Sequence, residues 1–268
     1  MIWVHVLHTG QVSVDCTIPF EHKNPFAKTG WFRKKKYRLS LPVSVYLVEH
    51  PKGLLLFDTG WDLETRDTVV NRKCFLPVSY GDLPDGDAVH EHLARLGYTP
   101  QDLDYVFLSH LDNDHTGGLP QLKDAKRIMV SEPEWNAAQK WRYFYRYKKR
   151  HWKDIDMQTF KYEKTGVGPF GESFDVFGDG TIHLVSTRGH SFGLSTMLIS
   201  NNDKFVALVG DTGYMQRSWR EMKLPGLMVN KQEAIESLQW VQNLSTQDNC
   251  LGIYATHDPG VTPCVIEV

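Results

Sequence analysis

One short stretch, Ser109-His110-Leu111-Asp112-Asn113-Asp114-His115, carries four side chains that can bind a metal ion. Imidazole nitrogen and carboxylate oxygen atoms are ligands of Zn²⁺ and other first-row metals. The stretch follows the apolar run Tyr105–Leu108, which predicts a buried strand that ends at the open edge of a sheet. Alternation predicts His110, Asp112 and Asp114 on one side of an extended segment and His115 on the other, an arrangement that can bind two adjacent ions. The alternative is a polar loop with a capping aspartate and incidental histidines.

Three distant positions could complete such a site. His190, Asp211 and His257 each fall just past a predicted strand, as His110 does. Metal sites need deprotonated ligands that the fold brings together, and strand ends are rigid enough to hold them. The sequence therefore predicts a metal centre assembled from four strand ends.

The elements that must position these residues alternate between strands and helices. Apolar runs and turn residues predict a β-hairpin that ends in Asp58-Thr59-Gly60. No linker, low-complexity tract or Pro/Gly-rich boundary interrupts the pattern, so we expect a single domain that spans residues 1–268. The predicted strands are 2–7, 11–18, 41–49, 54–57, 105–108, 126–130, 181–186, 194–200, 204–209 and 251–255, and the predicted helices are 87–96, 132–151 and 231–244.

The predicted helix at 132–151 has an unusual content. Ser131-Glu132-Pro133-Glu134 has the capping-box form that opens a helix. Aromatic residues from Trp135 to Trp152 are interleaved with Lys and Arg on more than one face. Two interpretations are open: a helix docked on the core, whose Lys and Arg stems cover apolar surface, or a hydrophobic wall or lid over the active site.

The overall composition is that of a soluble globular protein, with 41% hydrophobic and 23% charged residues in 268. A net charge of −2 gives no reason to expect a nucleic acid or an acidic membrane as partner. One basic run, Arg33-Lys34-Lys35-Lys36, lies beside the aromatic residues Trp31, Phe32 and Tyr37. We interpret it as a solvated loop anchored by its aromatic residues, because a single run of four does not make a binding face for nucleic acid.

The cysteines and the N-terminus bear on the cellular location. Cys16, Cys74, Cys250 and Cys264 show no Cys-x-x-Cys spacing, which indicates reduced thiols rather than a disulfide frame or a zinc knuckle. The first residues lack the pattern of a signal peptide, and no apolar run approaches membrane-spanning length. We expect a cytoplasmic monomer or homodimer that acts on a small molecule, with no nucleic-acid or membrane partner.

The order of these residues resembles the metallo-β-lactamase superfamily, whose pattern is His-x-His-x-Asp-His, a distant His, a bridging Asp and a last His. The resemblance extends to the Asp-Thr-Gly at 58–60, to Gly117-Gly118 and to the Gly-His-Ser turn at 189–191. Within the superfamily the chain looks most like the N-acyl-homoserine lactonases, on Asp211-x-x-Tyr214, on His257-Asp258-Pro259 and on the segments 6–10 and 41–44. The resemblance implies an α/β fold, the four-layer αβ/βα sandwich of that superfamily.

The resemblance also implies two divalent metal ions per chain, with zinc expected and iron or manganese as alternatives. It assigns His110, Asp112 and His190 to one ion, and Asp211 as the bridge between the two. The ligands that it assigns to the other ion are Asp114, His115 and His257. One departure stands out, because Asp112 occupies the place of the second motif histidine. An oxygen ligand there adds negative charge and favours harder ions; if Asp112 is not a ligand, a mononuclear enzyme becomes an alternative.

The activity that the resemblance implies is opening of the lactone ring of N-acyl-homoserine lactones, a quorum-quenching reaction. A water that bridges two divalent ions loses a proton near neutral pH and becomes a nucleophile for the lactone carbonyl. We expect the Tyr214 hydroxyl to bind the substrate carbonyl oxygen as an oxyanion donor. We expect Asp114 to be the general acid for the leaving alkoxide. We expect Asp58 either to orient a ligand or to cap a turn.

Three rival functions follow from the same residues. Other hydrolases of the superfamily, such as thioesterases of the glyoxalase II type, other lactonases or esterases, and phosphodiesterases, share the metal pattern. A catalytically silent metal-binding or partner-binding module would explain Asp112 as a sign of a decayed site. The two Asp-Thr-Gly triplets, at Asp58 and Asp211, resemble those of aspartic proteases, but that fold is nearly all β and the reading leaves the 110–115 cluster unexplained.

Overall fold

The computed structural model describes residues 1–24, 27–29, 33–67 and 79–268. Trp31, Phe32 and Cys74 lie outside these ranges. The predicted anchoring role of the two aromatic residues and the predicted reduced state of Cys74 therefore concern residues outside the described part of the chain. Within the basic run, Arg33 Nε donates a hydrogen bond to Asp15 Oδ2 over 2.8 Å. The guanidinium carbon of the same residue lies 4.2 Å from the centroid of the Tyr37 ring. This cation is therefore engaged in contacts within the chain.

Two mixed β-sheets contain the strands of the described residues. The strands are β1 (Trp3–Asp15), β2 (Arg38–His50), β3 (Gly53–Phe57), β4 (Ser79–Asp82), β5 (Tyr105–Leu108), β6 (Ile128–Ser131), β7 (Met157–Phe160), β8 (Glu163–Lys164), β9 (Glu172–Asp175), β10 (Ile182–Ser186), β11 (Ser195–Asn201), β12 (Lys204–Gly210), β13 (Cys250–Ala255) and β14 (Cys264–Glu267). The first sheet has the order β14-β1-β2-β3-β5-β6-β7, with β4 paired to β1. The second sheet has the order β13-β12-β11-β10-β9-β8. The predicted hairpin is confirmed as the antiparallel pair β2–β3.

The described ranges also contain α-helices and short 3₁₀ turns. The α-helices of the described ranges are α1 (Val89–Arg95), α2 (Asn113–Thr116), α3 (Glu132–Ala138), α4 (Gln216–Arg220) and α5 (Lys231–Ser245). Short 3₁₀ turns cover Ala27–Thr29, Lys35–Tyr37, Leu63–Arg66, Pro100–Asp102, Leu119–Gln121, Trp141–Tyr143 and Lys149–Trp152. None of the helices in the described ranges combines the length and the apolar content needed to cross a membrane.

Apolar burial arranges the sheets and helices as four layers. The inner faces of the two sheets pack on each other through side chains such as Phe107 and Leu208. The outer face of the first sheet packs against α1, where Leu93 is fully buried. The outer face of the second sheet packs against α4 and α5 through Trp219 and Leu238. The hydrophobic effect thus covers both outer faces with helices, and the predicted αβ/βα order is confirmed.

Parallel pairing brings the ends of several strands to one seam between the sheets. In the first sheet β3, β5 and β6 are parallel neighbours, and in the second β12 and β13 are parallel. Their carboxyl ends therefore face the same edge. Asp58 follows β3 directly, and Asp211 follows β12 directly. His110 and His257 each lie two residues past the end of β5 and β13.

Backbone hydrogen bonds and a close approach lock this seam. Ser195 N donates to Ser109 O over 2.9 Å, which joins the second sheet to the loop after β5. The loop itself approaches the end of β3 so closely that a Cβ on Gly118 would lie 2.2 Å from Thr59 O. Only glycine fits at that position without displacing backbone, which gives the Gly117-Gly118 of the motif a steric reason.

The two strands predicted near the N-terminus form one continuous strand, β1, with a register shift against β2 between His8 and Gln11. Gly10 supplies the left-handed backbone there, with φ of 83°. The turn residues Thr9-Gly10 therefore mark a β-bulge rather than a break, because a single inserted residue bends a strand without ending its pairing.

The predicted helix at 132–151 is wrong beyond its first two turns. The α-helix α3 ends at Ala138, and Lys140 and Lys148 have ψ of 127° and 86°, values outside the helical range. The capping box does not form either, because Ser131 Oγ donates to Gly193 O over 2.6 Å instead of to the helix. Contacts to distant loops, described below, replace the helical hydrogen bonds that the sequence would otherwise favour.

Candidate metal centre

Two triads of ligand-competent side chains face each other at the seam. His110, His190 and Asp211 form the first triad, and Asp114, His115 and His257 form the second. Within each triad one ligand atom from every residue lies within 4.8 Å of the others. The structure therefore brings together six of the seven side chains that the resemblance assigns to metal ions, in two groups that match the chelating geometry of small metal sites.

Asp211 belongs to the first triad and also faces the second. Its Oδ1 is 3.5 Å from His115 Nε2 and 3.3 Å from His257 Nε2. Its Oδ2 is 3.6 Å from His190 Nε2. One carboxylate oxygen thus faces each triad, which is the position that a bridging ligand needs.

Simple alternation predicted that Asp114 lies on the same side as His110 and Asp112, and this prediction is wrong. The segment turns into the helix α2 at Asn113, so it is not extended there. Asp114 Oδ1 lies 3.9 Å from His115 Nε2, and its Oδ2 lies 3.5 Å from His257 Nε2. The helical turn, rather than strand alternation, directs Asp114 and His115 toward the same point.

The Nδ1 atom of each histidine in the triads is tied to an oxygen of the protein. Two of these partners are backbone carbonyls, 2.7 and 2.9 Å away. A carbonyl or a carboxylate accepts only, so the neutral form of the ring carries its proton on Nδ1 and presents its lone pair at Nε2. The pairs are His110 with Ser109 Oγ, His115 with Asp58 Oδ2, His190 with Leu227 O and His257 with Pro42 O.

Unsatisfied buried atoms indicate that a cation fits this centre. His110 Nε2, His115 Nε2 and Asp211 Oδ1 are buried and have no hydrogen-bond partner among the described residues. Buried polar groups without partners are costly and rare, and they require an explanation such as an ion. Imidazole nitrogen and carboxylate oxygen form a donor set that suits Zn²⁺ and related divalent ions. The residues present therefore fit a metal centre.

The charges of the centre point the same way. Burial alone would lower the pKa of His115, but the carboxylates of Asp58 and Asp211 outweigh it and raise that pKa well above its ordinary value. Burial likewise opposes ionisation of Asp211, yet His257 and His115 hold its pKa well below the usual range. The carboxylates of the centre thus attract positive charge. A divalent ion would supply that charge and would displace the extra protons from the histidine rings.

Asp58 supports the centre from behind. Its Oδ1 accepts from Ser109 N over 2.8 Å, and its Oδ2 accepts from Ser109 Oγ and His115 Nδ1, also over 2.8 Å each. The backbone at Asp58 is left-handed, with φ of 64°, a conformation that costs energy in a non-glycine residue. The strained turn after β3 therefore aims a buried carboxylate at a histidine of the second triad.

Asp112 is close to the first triad but is also paired with a cation. Its Oδ2 lies 3.3 Å from His110 Nε2 and 3.2 Å from His190 Nε2. Arg146 donates to both carboxylate oxygens, from Nε over 2.5 Å and from Nη2 over 2.8 Å. Burial alone would raise the pKa of Asp112, but the Arg146 guanidinium holds it well below the usual range.

Tyr214 lies against both triads. Its ring stacks on His257 with centroids 5.1 Å apart, and it meets the edge of His190 at 6.0 Å. The residue is 5% exposed. Burial and then the nearby carboxylate of Asp211 raise the pKa of its hydroxyl well above the ordinary value. A protonated hydroxyl is therefore held beside the candidate metal centre.

Sequence reasoning missed Glu134, a fully buried carboxylate that joins the two loops bearing the first triad. Its Oε1 accepts from Leu111 N over 3.2 Å and from the Tyr147 hydroxyl over 3.0 Å. Its Oε2 accepts from Gly193 N over 2.9 Å. The sequence assigned Glu134 only to the start of a helix, and no local pattern signals these long-range contacts.

Residues 139–153, which we call the strap, cover the loop after β5. Besides the contacts of Arg146 and Tyr147, the strap places His151 Nδ1 2.9 Å from Thr116 Oγ1. Its outer side carries Trp141, Phe144 and Tyr145, which are 82%, 70% and 74% exposed. The strap is not a docked helix, because its inward residues form hydrogen bonds with the loop after β5. It is not a continuous apolar lid either, because these three aromatic rings face solvent.

Asp58→Asn tests the orienting contact. An amide in place of Asp58 presents an N–H to the ring, so His115 shifts its proton to Nε2 and loses the lone pair that a metal needs. We expect metal affinity to fall about 10- to 100-fold, measured by competition with a chromophoric chelator. Asp104→Asn is the matched control, because Asp104 also accepts a backbone N–H, from Leu54 over 2.8 Å. Asp104 lies just before β5, at the end of that strand opposite the metal centre. Unchanged affinity in Asp58→Asn would contradict the orienting role.

Comparison with curated proteins finds relatives at moderate identity. The chain is 28% identical over 222 residues to the N-acyl homoserine lactonase AttM of Agrobacterium fabrum, in a match that covers 82% of each protein. It is 25% identical over 231 residues to the N-acyl homoserine lactonase AiiA of Bacillus thuringiensis subsp. kurstaki, again with 82% of each covered.

Comparison with solved structures supports the fold. An N-acyl homoserine lactone hydrolase with the product N-hexanoyl-L-homoserine at its catalytic metal centre superposes with a TM-score of 0.77 at 22% identity, covering 96% of this chain and 93% of that one. AidC, a dizinc quorum-quenching lactonase, superposes with a TM-score of 0.65 at 16% identity, covering 97% of this chain and 88% of its own. Both similarities lie in the four-layer architecture described above.

The family model of the metallo-β-lactamase superfamily matches residues 39–246, which is most of the chain. The matched region includes the loop at 110–118, His190 and Asp211. The fold expected from the sequence is therefore confirmed. The chain belongs to the metallo-β-lactamase superfamily.

Proposed function

We propose that this protein is a metal-dependent hydrolase that opens the lactone ring of N-acyl homoserine lactones. The observation that carries the proposal is the pair of facing triads at the seam, where His110 Nε2 and His115 Nε2 are buried without a hydrogen-bond partner among the described residues. The names of AttM and AiiA as N-acyl homoserine lactonases support the substrate class. The location of the reaction is the cytoplasm, as the reduced cysteines expected from the sequence suggest.

The proposed cofactor is a pair of divalent ions, with zinc expected and iron or manganese as alternatives. Two such ions would polarise the lactone carbonyl and make an attacking water strongly nucleophilic at neutral pH. His110 and His190 would hold one ion, with Asp112 beside them, and Asp211 would contribute to both positions. The proposed ligands of the other ion are Asp114, His115 and His257.

Tyr214 is the proposed oxyanion donor and substrate-binding residue. Its hydroxyl is protonated at neutral pH, and the stacking on His257 fixes the ring beside the centre. A preorganised donor that points to the developing charge stabilises the transition state of acyl transfer more than the ground state. The hydroxyl therefore donates to the carbonyl oxygen as the carbonyl carbon becomes tetrahedral.

Asp114 is the proposed proton carrier. Its side chain is 16% exposed, whereas that of Asp211 is 3% exposed, so Asp114 is the more accessible carboxylate of the two. When water attacks the carbonyl carbon, the ring C–O bond breaks and leaves an alkoxide. Asp114 takes one proton from the attacking water and passes it to that alkoxide, which yields a hydroxyl and a carboxylic acid. The acid then releases its proton to solvent at neutral pH. The products are those of simple ring hydrolysis, with no other reactant.

The proposal predicts metal-dependent ring opening. We expect about two metal ions per chain in the purified protein, loss of lactone opening on chelation, and recovery when the metal is added back. The measurement is elemental analysis together with an assay of acid release from an N-acyl homoserine lactone. Full metal content with turnover of a thioester or a phosphodiester, but not of the lactone, would overturn the substrate class. Two metals with no turnover on any of these substrates would indicate a silent module.

Tyr214→Phe tests the oxyanion role. The phenyl ring keeps the packing on His257 but removes the hydroxyl, so we expect kcat to fall about a hundredfold with metal content unchanged. The measurements are steady-state lactone kinetics and elemental analysis. Tyr105→Phe serves as control, because Tyr105 begins β5 at the end of the strand opposite the centre. A Tyr214→Phe enzyme with the parent kcat would show that the hydroxyl plays no part in the reaction.

A further inference from the structure

We propose that Asp112 and Arg146 act as one charge-neutral unit in the place of the second motif histidine, and that Arg146 sets how tightly the position of His110 and His190 binds a metal ion. The inference rests on the metal centre of the proposed function. It adds a residue, Arg146, that neither the motif nor the similarity to lactonases assigns. Arg146 is a positioning residue, because it acts on the ion through Asp112.

The geometry of the pair is that of a bidentate fork. Arg146 Nε and Nη2 donate to the two oxygens of Asp112 over 2.5 and 2.8 Å, and Nη1 donates to His190 O over 3.1 Å. The side chains of Arg146 and Asp112 are 15% and 21% exposed. Charge-assisted bidentate pairs of this kind are strong and directional. The guanidinium therefore holds both Asp112 and the backbone of a triad residue.

The same carboxylate oxygen faces the cation and the metal position. Asp112 Oδ2 accepts from Arg146 Nη2 and also lies 3.3 Å from His110 Nε2 and 3.2 Å from His190 Nε2. An ion bound by the two Nε2 atoms would have Asp112 Oδ2 as a further ligand, but that oxygen already accepts a hydrogen bond from the Arg146 cation. Asp112 is thus a weakened donor at the first position.

The charge balance explains why an aspartate is tolerated here. A neutral imidazole contributes no net charge, and an Asp112 carboxylate contributes −1. The Arg146 guanidinium contributes +1 at hydrogen-bond distance, so the pair contributes zero, as the histidine would. The pair conserves the charge of the motif while it replaces a nitrogen donor by an oxygen donor, and an oxygen donor favours harder ions.

The other two arginines of the strap are engaged elsewhere. Arg142 lies on the ring of Tyr143, with its guanidinium carbon 4.8 Å from the centroid. Arg150 pairs with Asp62, with Nη2 3.0 Å from Oδ2, and also with Glu64. Arg146 is held in place by its neighbour Tyr147, whose ring centroid is 5.6 Å away and whose hydroxyl donates to Glu134. The strap therefore positions this one guanidinium against Asp112.

A charge-swap series tests the unit. Asp112→His alone restores the motif histidine but leaves a buried Arg146 cation beside the metal position. We expect one of the two metal equivalents to weaken about 10- to 100-fold in this variant. The double variant Asp112→His with Arg146→Met removes that cation, so the net charge at this position is again that of the Asp112–Arg146 pair. Because the two changes compensate each other, we expect the affinity for both metal equivalents to return to within a few-fold of the parent protein.

Arg146→Met alone gives the opposite sign. Asp112 then carries an uncompensated negative charge, so we expect one metal equivalent to tighten about tenfold or more and the preference to move from Zn²⁺ toward Mn²⁺. Arg142→Met is the matched control from the same strap and should bind metal as the parent does. The measurements are chelator competition with Zn²⁺ and Mn²⁺, elemental analysis, and the melting temperature of the metal-free protein, which shows that each variant is folded.

Two results would overturn the proposal. If Asp112→His and the double variant bind metal with equal affinity, Arg146 does not govern the site through its charge. If Arg146→Met binds both ions as the parent does, Asp112 is not weakened by its partner. These readouts need no lactone, so a protein that binds metal as predicted but opens no lactone would refute the proposed function and leave this inference standing.

Discussion

Each histidine ring at the seam of the two sheets is held through Nδ1, by a carboxylate, a hydroxyl or a backbone carbonyl. The Nε2 atoms of His115, His190 and His257 lie 3.3 to 3.6 Å from the carboxylate oxygens of Asp211. Those of His110 and His115 are buried and have no hydrogen-bond partner among the described residues. The strands and turns around the seam place the histidine rings and their hydrogen-bond partners. Parallel strands bring the ends of β3 and β5, and of β12 and β13, to one edge, and the strained turn at Asp58 aims its carboxylate at His115.

The loops that carry the two triads are far apart in the sequence, and buried polar groups hold them together. Glu134 bonds to the backbone of both loops of the first triad and to Tyr147 of the strap. Arg146 adds a second tie, from the strap to Asp112 and to the carbonyl of His190. Removal of one partner of a buried charge pair leaves the other uncompensated, which is the costly case. The geometry of the centre therefore depends on residues outside the ligand motif.

Local patterns in the sequence were sufficient for the strand ends and for α5. Continuous apolar runs before His110 and Asp211 marked buried strands. Amphipathic spacing predicted a helix at 231–244, and the structure has it at Lys231–Ser245. The family resemblance implied that His110 lies with His190, and that Asp114 lies with His115 and His257, and the structure brings these side chains together. Strand alternation failed at Asp114, because a helical turn begins at Asn113 and reverses the direction of the side chains.

The misses share one physical cause. The segment after Ala138 has good helix formers, but Arg146, Tyr147 and His151 gain hydrogen bonds with distant loops that a continuous helix would not allow. Such tertiary contacts override propensity, and no spacing rule encodes the partner. For the same reason the sequence exposed the departure at Asp112 but gave no sign that Arg146, more than thirty positions away, accompanies it.

Anomalous X-ray diffraction from crystals of the metal-loaded protein, at an absorption edge of the metal found by elemental analysis, tests the central claim most directly. The account predicts two anomalous peaks in each chain, one bounded by His110, His190 and Asp211 and the other by Asp114, His115 and His257. Peaks that lie away from both triads, or empty triads in protein soaked with excess metal, would contradict it.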